Sequence, residues 1–142
     1  MLPVTGTWAL PFTAYLFVLT GRIVNARIKN DRSLGDSISS TGPNHDNPDE
    51  LYIATRAHAN FLENVPLAFL LAGIAELNGA NRKVMNWAFG ALFVLRILHV
   101  ELGLKQKGGV GLGRPLAFFG SSGFLGGFAA YGAYLVKGYW GY

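Results

Sequence analysis

Four stretches of mostly apolar residues, each about 20 residues long, constrain the fold of this chain more than any other feature. They cover approximately residues 7–27, 57–77, 84–104 and 115–136. A helix of this length crosses a bilayer, and helices satisfy all their own backbone hydrogen bonds within the hydrocarbon. We therefore predict an all-α integral membrane protein, with four transmembrane helices in an up-down bundle that forms one domain over residues 1–142.

The composition agrees with a membrane chain. Hydrophobic residues make up 51% of the sequence and charged residues 14%, and the 19 glycines suit closely packed membrane helices. The absence of cysteine excludes disulfides, thiolate metal sites and cysteine nucleophiles. The net charge of +4 comes from Lys and Arg residues spread between apolar runs. We therefore expect lipid head groups or an anionic substrate as partners, and no nucleic acid.

The positions of the basic residues predict the orientation in the membrane. The first loop, residues 28–56, and the third loop, residues 105–114, lie on the same side of a four-helix bundle. That side contains Arg22, Arg27, Lys29, Arg32, Arg56, Lys105, Lys107 and Arg114, whereas the other contains Arg82, Lys83 and Lys137. The positive-inside rule places both loops in the cytosol. The membrane would be that of the endoplasmic reticulum or mitochondrion in a eukaryote, and the inner membrane in a bacterium.

Polar residues interrupt the second and third apolar stretches at helical spacing. In "RAHANFLEN", Arg56, Asn60 and Glu63 are spaced i, i+4 and i+7 and share one helix face. In "LRILHVELG", Arg96 and His99 share a face of the next helix. Because the two helices are antiparallel, Glu63 and Arg96 should lie at similar depth, about two turns from the same surface.

Two interpretations of these buried polar residues are open. An arginine near the middle of a membrane costs about 2.5–3.5 kcal/mol, so a Glu63–Arg96 ion pair could simply hold two helices in register. The same end of the bundle, however, holds more positive charge than one carboxylate can balance. Its cationic and polar residues are Arg27, Arg56, Asn60, His99 and Arg114. Guanidinium groups bind carboxylates through paired hydrogen bonds, which indicates a site for an anionic ligand.

The segment "RAHANFLENVPLAFLLAGIAELNGANR", followed by "LRILHVELGL", resembles sequences of the MAPEG family, the membrane-associated proteins of eicosanoid and glutathione metabolism. The resemblance covers most of the chain, including the long first loop. The "SLGD" of Ser33 to Asp36 and the "ENVPLA" phrase are similar to the bacterial and fungal branch. The resemblance implies a homotrimer that binds glutathione between neighbouring subunits, near the cytosolic face.

The resemblance also implies roles for individual residues. Arg56, Asn60 and Glu63 would hold the charged ends of glutathione, and Arg114 would steady its thiolate as the catalytic residue. The complete binding set that it implies is Arg27, Arg56, Asn60, Glu63, Arg96 and His99. The chain departs from the family pattern at Gly103, near a position where a tyrosine is expected, and at Pro115, where some members have a serine.

The chemistry of glutathione suits these residue types. Glu63 can bind its ammonium group, while Arg27, Arg56 and Arg114 can bind its carboxylates or thiolate. A thiol with a pKa of about 8.5–9 is mostly ionised at neutral pH if a cation lowers that pKa by about one to two units. Because the chain has no cysteine, glutathione would supply the nucleophile. The protein would supply position and positive charge.

Two functional hypotheses follow. The first is a glutathione-dependent transferase or peroxidase that acts on lipophilic electrophiles or lipid hydroperoxides. The second is a non-catalytic lipid-binding or scaffold protein. The Arg56, Asn60 and Glu63 set favours the first. A transporter is disfavoured because no broken helix or repeat pair is visible, and a metal site at His58 and His99 is disfavoured because no carboxylate cluster accompanies them.

Overall fold

The computed structural model describes residues 1–39, 48–104 and 112–141 of the chain. Its regular elements are helical throughout these ranges. Lys105 and Lys107, which contribute to the predicted orientation, lie outside the described residues. The elements in chain order are α1 (Pro3–Lys29), α2 (Glu50–Leu77), α3 (Arg82–Leu98), a π-helix (His99–Leu104), α4 (Gly113–Val136) and a short 3₁₀-helix (Lys137–Trp140).

Local sequence signals explain where the helices begin and end. Pro3 occupies the first turn of α1, where a missing N–H group costs nothing. The Asp49 carboxylate accepts a 2.8 Å hydrogen bond from Tyr52 N and caps α2. Gly79 has φ of 87° in the turn after α2, and the Asn81 side chain accepts hydrogen bonds from the first turn of α3. These two residues form the tight connection between α2 and α3.

Three helical segments are long and apolar enough to cross a membrane: α1, α2, and α3 together with the π-helix. The helices extend beyond the predicted spans, and α2 begins at Glu50 rather than near residue 57. Within the described residues, α4 is not among the candidate spans, because its glycines and serines lower its mean hydropathy. A fourth crossing by α4 therefore stays a prediction.

The bundle encloses an aromatic core. Helix α1 packs against α2 and α3, while α4 packs against α2, α3 and the π-helix. The ring of Phe12 on α1 lies 5.1 Å, centre to centre, from both Phe69 on α2 and Phe93 on α3. Phe89 extends the cluster to Phe124 on α4, at 5.6 Å. Such aromatic pairs favour edge-on and tilted geometry and contribute about 0.5–1.5 kcal/mol each beyond burial.

Glu76 forms an interhelical cap at the end of the bundle opposite the first loop. The position of Glu76 beside the α2–α3 turn would suit an interfacial carboxylate, but this side chain is only 9% exposed. Its two oxygens accept hydrogen bonds from Val4 N at 2.7 Å and Thr5 N at 2.9 Å. The N-cap position of α1 is Leu2, whose side chain cannot accept a hydrogen bond. Glu76 therefore satisfies the free N–H groups of α1 from another helix.

Two glycines allow the π-helix and α4 to touch through their backbones. A Cβ atom on Gly113 would overlap the carbonyl oxygen of Leu98 and lie 2.8 Å from Gly103 N. A Cβ atom on Gly103 would lie 3.0 Å from both N and Cγ of Arg114. A side chain at Gly103 would be tightly packed against the start of α4, so glycine suits this position. The crossing places Arg114 directly beside the π-helix.

Candidate functional site

A polar cavity of about 550 Å³ lies between α2, the junction of α3 with the π-helix, and the first half of α4. Its polar wall contains five of the seven residues predicted for the ligand site, namely Asn60, Glu63, Arg96, His99 and Arg114. Phe118 and Phe119 form an apolar side of the same cavity, and both are largely exposed. The volume lies in the range of about 300–1,000 Å³ that is usual for small-molecule sites.

Arg96 is the buried centre of this site, with 3% of its surface exposed. Its guanidinium donates to Asn60 Oδ1 at 2.8 Å, to the Ala117 carbonyl at 2.9 Å, and to Ser121 Oγ. These bonds join α3 to α2 and α4. The guanidinium therefore satisfies most of its donors with neutral acceptors, which lowers the cost of keeping a cation in the bundle.

The Glu63–Arg96 ion pair is not formed among the described residues. Asn60 lies one turn closer to Arg96 along α2 and supplies the acceptor instead. The carboxylate of Glu63 is exposed on the cavity wall. Across residues 1–39, 48–104 and 112–141 it has no hydrogen-bond or ion-pair partner, which leaves it able to bind a cationic group.

The hydrogen bond from Arg96 also fixes what Asn60 presents to the cavity. Since Asn60 Oδ1 accepts from Arg96, its Nδ2 group is the part that can donate to a ligand. Asn64, on the same wall, donates from Nδ2 to the Asn60 carbonyl oxygen at 2.8 Å. Asn60 is thus held on both its side chain and its backbone, and it would reach a ligand in a defined orientation.

Two buried polar atoms of this wall lack partners within the described chain: Arg96 Nε and His99 Nδ1. Buried side-chain polar atoms nearly always form a hydrogen bond to protein, water or ligand. Their position beside a polar cavity suggests that a bound molecule or water satisfies them. The cavity wall combines the arginines Arg96 and Arg114 with one carboxylate, Glu63, so its formal charge favours an anionic ligand.

A model of the MAPEG family matches residues 5–134. The chain belongs to the MAPEG family. The match extends from the first turn of α1 to the last turns of α4, so it includes the whole cavity. No curated protein and no solved structure matched the chain in the two other comparisons. MAPEG membership includes glutathione transferases and peroxidases as well as non-catalytic proteins.

Two of the predicted site residues do not line the MAPEG cavity within the described chain. Arg27, near the end of α1, donates from Nη1 to the Ser33 carbonyl at 2.6 Å and from Nη2 to the Gly35 carbonyl at 2.8 Å. It therefore holds the segment that follows α1. Arg56 is exposed on α2, in the turn before Asn60. The structure brings neither residue to the cavity of its own chain.

The MAPEG site and the helices around it contain residues that the sequence did not single out. Ser121 is 3% exposed and accepts a hydrogen bond from Arg96. The sequence signal for Ser121 is a hydroxyl group inside an apolar stretch, because such a group needs a hydrogen-bond partner within a membrane bundle. Glu101 in the π-helix forms a 2.8 Å ion pair with Arg22 on α1. For Glu101, the corresponding sequence signal is an acidic residue two positions after His99.

Proposed function

We propose that this MAPEG protein is a membrane-bound glutathione transferase or peroxidase for lipophilic electrophiles or lipid hydroperoxides. The observation that supports the proposal is the composition of one cavity. Cationic and amide groups from three helical elements line it together with one carboxylate that has no partner among the described residues, and aromatic side chains form its other side. An anionic peptide thiol and an apolar co-substrate would each find suitable surroundings there.

The polar and charged groups that line the cavity match the functional groups of glutathione. The Glu63 carboxylate would bind the ammonium group, and Asn60 Nδ2 would donate to a carboxylate. Arg114 follows Gly113 at the start of α4, next to the π-helix. A guanidinium in that position would stabilise the thiolate form of the bound thiol. Phe118 and Phe119 would contact the lipophilic co-substrate.

We further propose that the protein assembles as a homotrimer, in which the site lies between subunits. Arg56 is exposed and has no recorded partner among the described residues. In this arrangement Arg56 of a neighbouring copy would bind the second glutathione carboxylate. Both Nη groups of Arg27 already bind carbonyl oxygens. We therefore assign Arg27 to positioning the segment after α1 rather than to direct contact with the ligand.

In the proposed chemistry, the protein contributes only the positioning of the reactants and the positive charge that stabilises the thiolate. In the transferase reaction, the glutathione sulfur forms a bond to the electrophilic carbon, the leaving group departs as an anion, and the thiol proton passes to solvent. In the peroxidase reaction, two glutathione molecules are oxidised to their disulfide while a hydroperoxide is reduced to an alcohol and water. Arg114 would favour both reactions, because each begins from the thiolate.

Thermal unfolding of the detergent-solubilised protein with glutathione tests the proposal. A ligand at about 100 times its dissociation constant adds about 2.7 kcal/mol of apparent stability. We expect both glutathione and S-methylglutathione to raise the unfolding temperature, because most of the proposed binding contacts do not involve the thiol. Only glutathione should support turnover of a chlorinated aromatic electrophile. No shift at saturating concentrations would contradict the proposal and favour the lipid-binding or scaffold alternative.

A further inference from the structure

A second cavity, of about 380 Å³, lies where α1 ends and α2 begins. It shares no lining residue with the cavity proposed for glutathione. Its polar rim consists of Arg22, Asn25 and Glu50, and the apolar part of its wall includes Ile53, Ala54 and Val100. A polar rim at a helix end above an apolar wall matches the two parts of a membrane lipid.

Only part of the Arg22 guanidinium has an ion-pair or hydrogen-bond partner among the described residues. Its Nη2 atom forms the ion pair with Glu101 Oε1 at 2.8 Å. Its Nη1 atom is buried and has no hydrogen-bond partner among the described residues. A buried guanidinium N–H group without an acceptor favours binding of an anionic oxygen. Arg22 lines this cavity, and its guanidinium therefore keeps one N–H group that could form a charge-assisted hydrogen bond to a ligand.

Glu50 provides the opposite charge at the same rim. Its carboxylate lies 3.6 Å from Lys29 Nζ, and both side chains are more than half exposed. An exposed ion pair of this kind contributes little, about 0–1 kcal/mol, so Glu50 can exchange Lys29 for another cation. Among the described residues, the rim residues Arg22 and Glu50 and their ion-pair partners Glu101 and Lys29 carry two positive and two negative charges. A ligand with equal positive and negative charge therefore suits this rim better than an anion.

We propose that this cavity binds the head group of a zwitterionic phospholipid that has a primary ammonium group. The phosphodiester would accept from Arg22 Nη1 and from the Asn25 amide, and the ammonium would bind the Glu50 carboxylate. An acyl chain would lie against Ile53, Ala54 and Val100. A trimethylated head group cannot donate hydrogen bonds to Glu50, so the site should discriminate between ammonium and choline lipids.

A tightly packed wall separates this lipid site from the proposed glutathione site. Ala57 and Val100 belong to one side of the wall, and Asn60, Arg96 and His99 belong to the other. The seam between them has no space for a water molecule. Lipid binding should therefore need no glutathione, and the inference does not rest on the proposed function.

The test is native mass spectrometry of the delipidated full-length protein with phosphatidylethanolamine, phosphatidylcholine or phosphatidylglycerol of the same acyl chains. Ala54→Leu places a larger side chain in the cavity, and Arg22→Gln removes the phosphate donor. Ala130→Leu on an exposed position of α4 and Arg82→Gln at the other end of the bundle are the matched controls.

We expect phosphatidylethanolamine to remain bound about tenfold more strongly than phosphatidylcholine, a difference of about 1.4 kcal/mol. Ala54→Leu and Arg22→Gln should each abolish most of that retention, while the controls retain it. If Arg22→Gln does not fold, Ala54→Leu still tests the site. Equal retention of the two zwitterionic lipids, stronger retention of phosphatidylglycerol, or unchanged retention in Ala54→Leu would each overturn the proposal.

Discussion

Arg96 Nη1 and Asn60 Oδ1 are 2.8 Å apart, and this hydrogen bond joins the third helix of the bundle to the second. The same guanidinium reaches Ala117 and Ser121 on α4. One side chain thus fixes three helices and also sets the orientation of an amide that faces the proposed ligand. We therefore expect folding and ligand binding to be coupled at Arg96.

Arg96→Lys should lower both stability and glutathione affinity. Lysine keeps the positive charge, but its single nitrogen cannot reach acceptors on α2 and α4 in the fixed directions of a guanidinium. We expect a loss of about 2 kcal/mol or more, measured by thermal unfolding in detergent. Ser121→Ala removes one of the bonds and should cost about 1 kcal/mol without changing affinity. Wild-type stability in Arg96→Lys would contradict this role.

Glu63→Gln and Arg114→Ala should separate binding from turnover. Removing the Glu63 charge weakens its contact with the glutathione ammonium, so the dissociation constant should rise. Arg114→Ala should leave binding nearly intact but reduce kcat by about 10²–10³-fold, as expected when a charge-stabilising donor is lost. Calorimetric titration and single-turnover kinetics measure the two effects. Equal loss of affinity in both variants would show that the roles are not divided in this way.

Gly113→Ala should disrupt the contact between the π-helix and α4. Its methyl group would overlap the Leu98 carbonyl, so we expect a loss of about 1–3 kcal/mol together with lower turnover, because Arg114 must shift. Gly123→Ala on the same helix is the control, since among the described residues no heavy atom beyond its chain neighbours and its own helix backbone lies within 4 Å of the added methyl group. Similar unfolding temperatures for the two variants would refute the close contact.

Glu76→Gln should destabilise the start of α1 without affecting the ligand site. One carboxylate oxygen would be replaced by an NH₂ group facing a backbone N–H group of Val4 or Thr5. The expected cost is about 1–2 kcal/mol, typical of losing a cap and its charge at a helix N-terminus. Asp36→Asn in the exposed loop serves as control. Unchanged thermal stability in Glu76→Gln would argue against the cap.

Asp49 should make stability depend on acidic pH. Burial acts to raise the pKa of this carboxyl group, but hydrogen bonds from the Ser37 hydroxyl and from backbone N–H groups of Tyr52 and Ile38 outweigh it and lower the pKa. The stabilisation is therefore complete above the ordinary value of 3.8 and is lost as the pH falls through the lower folded-state pKa.

The matching variant is Asp49→Asn, which keeps the helix cap but replaces the oxygen that binds Ser37. We expect wild type to be more stable than this variant by about 1 kcal/mol at pH 7. The difference should shrink below pH 3.8. Unfolding temperatures at pH 7, 5 and 3 measure it. A difference that does not change with pH would mean that the carboxylate charge is not involved.

The helical architecture could be predicted from sequence because it depends on local properties. The apolar lengths, the cap at Asp49 and the Asn and Gly residues between α2 and α3 each act within a few residues. The π-helix could not be predicted in this way. It lies where Gly103 and Gly113 approach closely, and because these residues belong to different elements, the contact cannot be read from a local stretch of sequence.

Helical spacing likewise placed Asn60, Glu63, Arg96 and His99 around one cavity but did not identify their partners. The pairing of Glu63 with Arg96 followed from equal depth and opposite charge. In the folded chain an amide one turn away satisfies the guanidinium, and Ser121 from α4 joins it. The spacing of residues along a helix gives their depth in the membrane. The rotation of the helix about its axis, in contrast, depends on how neighbouring helices pack.

The π-helix at His99–Leu104 has a consequence for changes in chain length. A π-turn accommodates one more residue than an α-turn, so deleting a single residue there would restore the regular α-helical repeat. Side chains after the deletion would keep their rotation about the helix axis, because the regular repeat absorbs the loss of the extra residue. Gly103 would then stay opposite Gly113. A deletion inside the regular part of α2 or α3 would instead rotate every later side chain by about 100°, so the π-helix is the place where this bundle should best tolerate the loss of one residue.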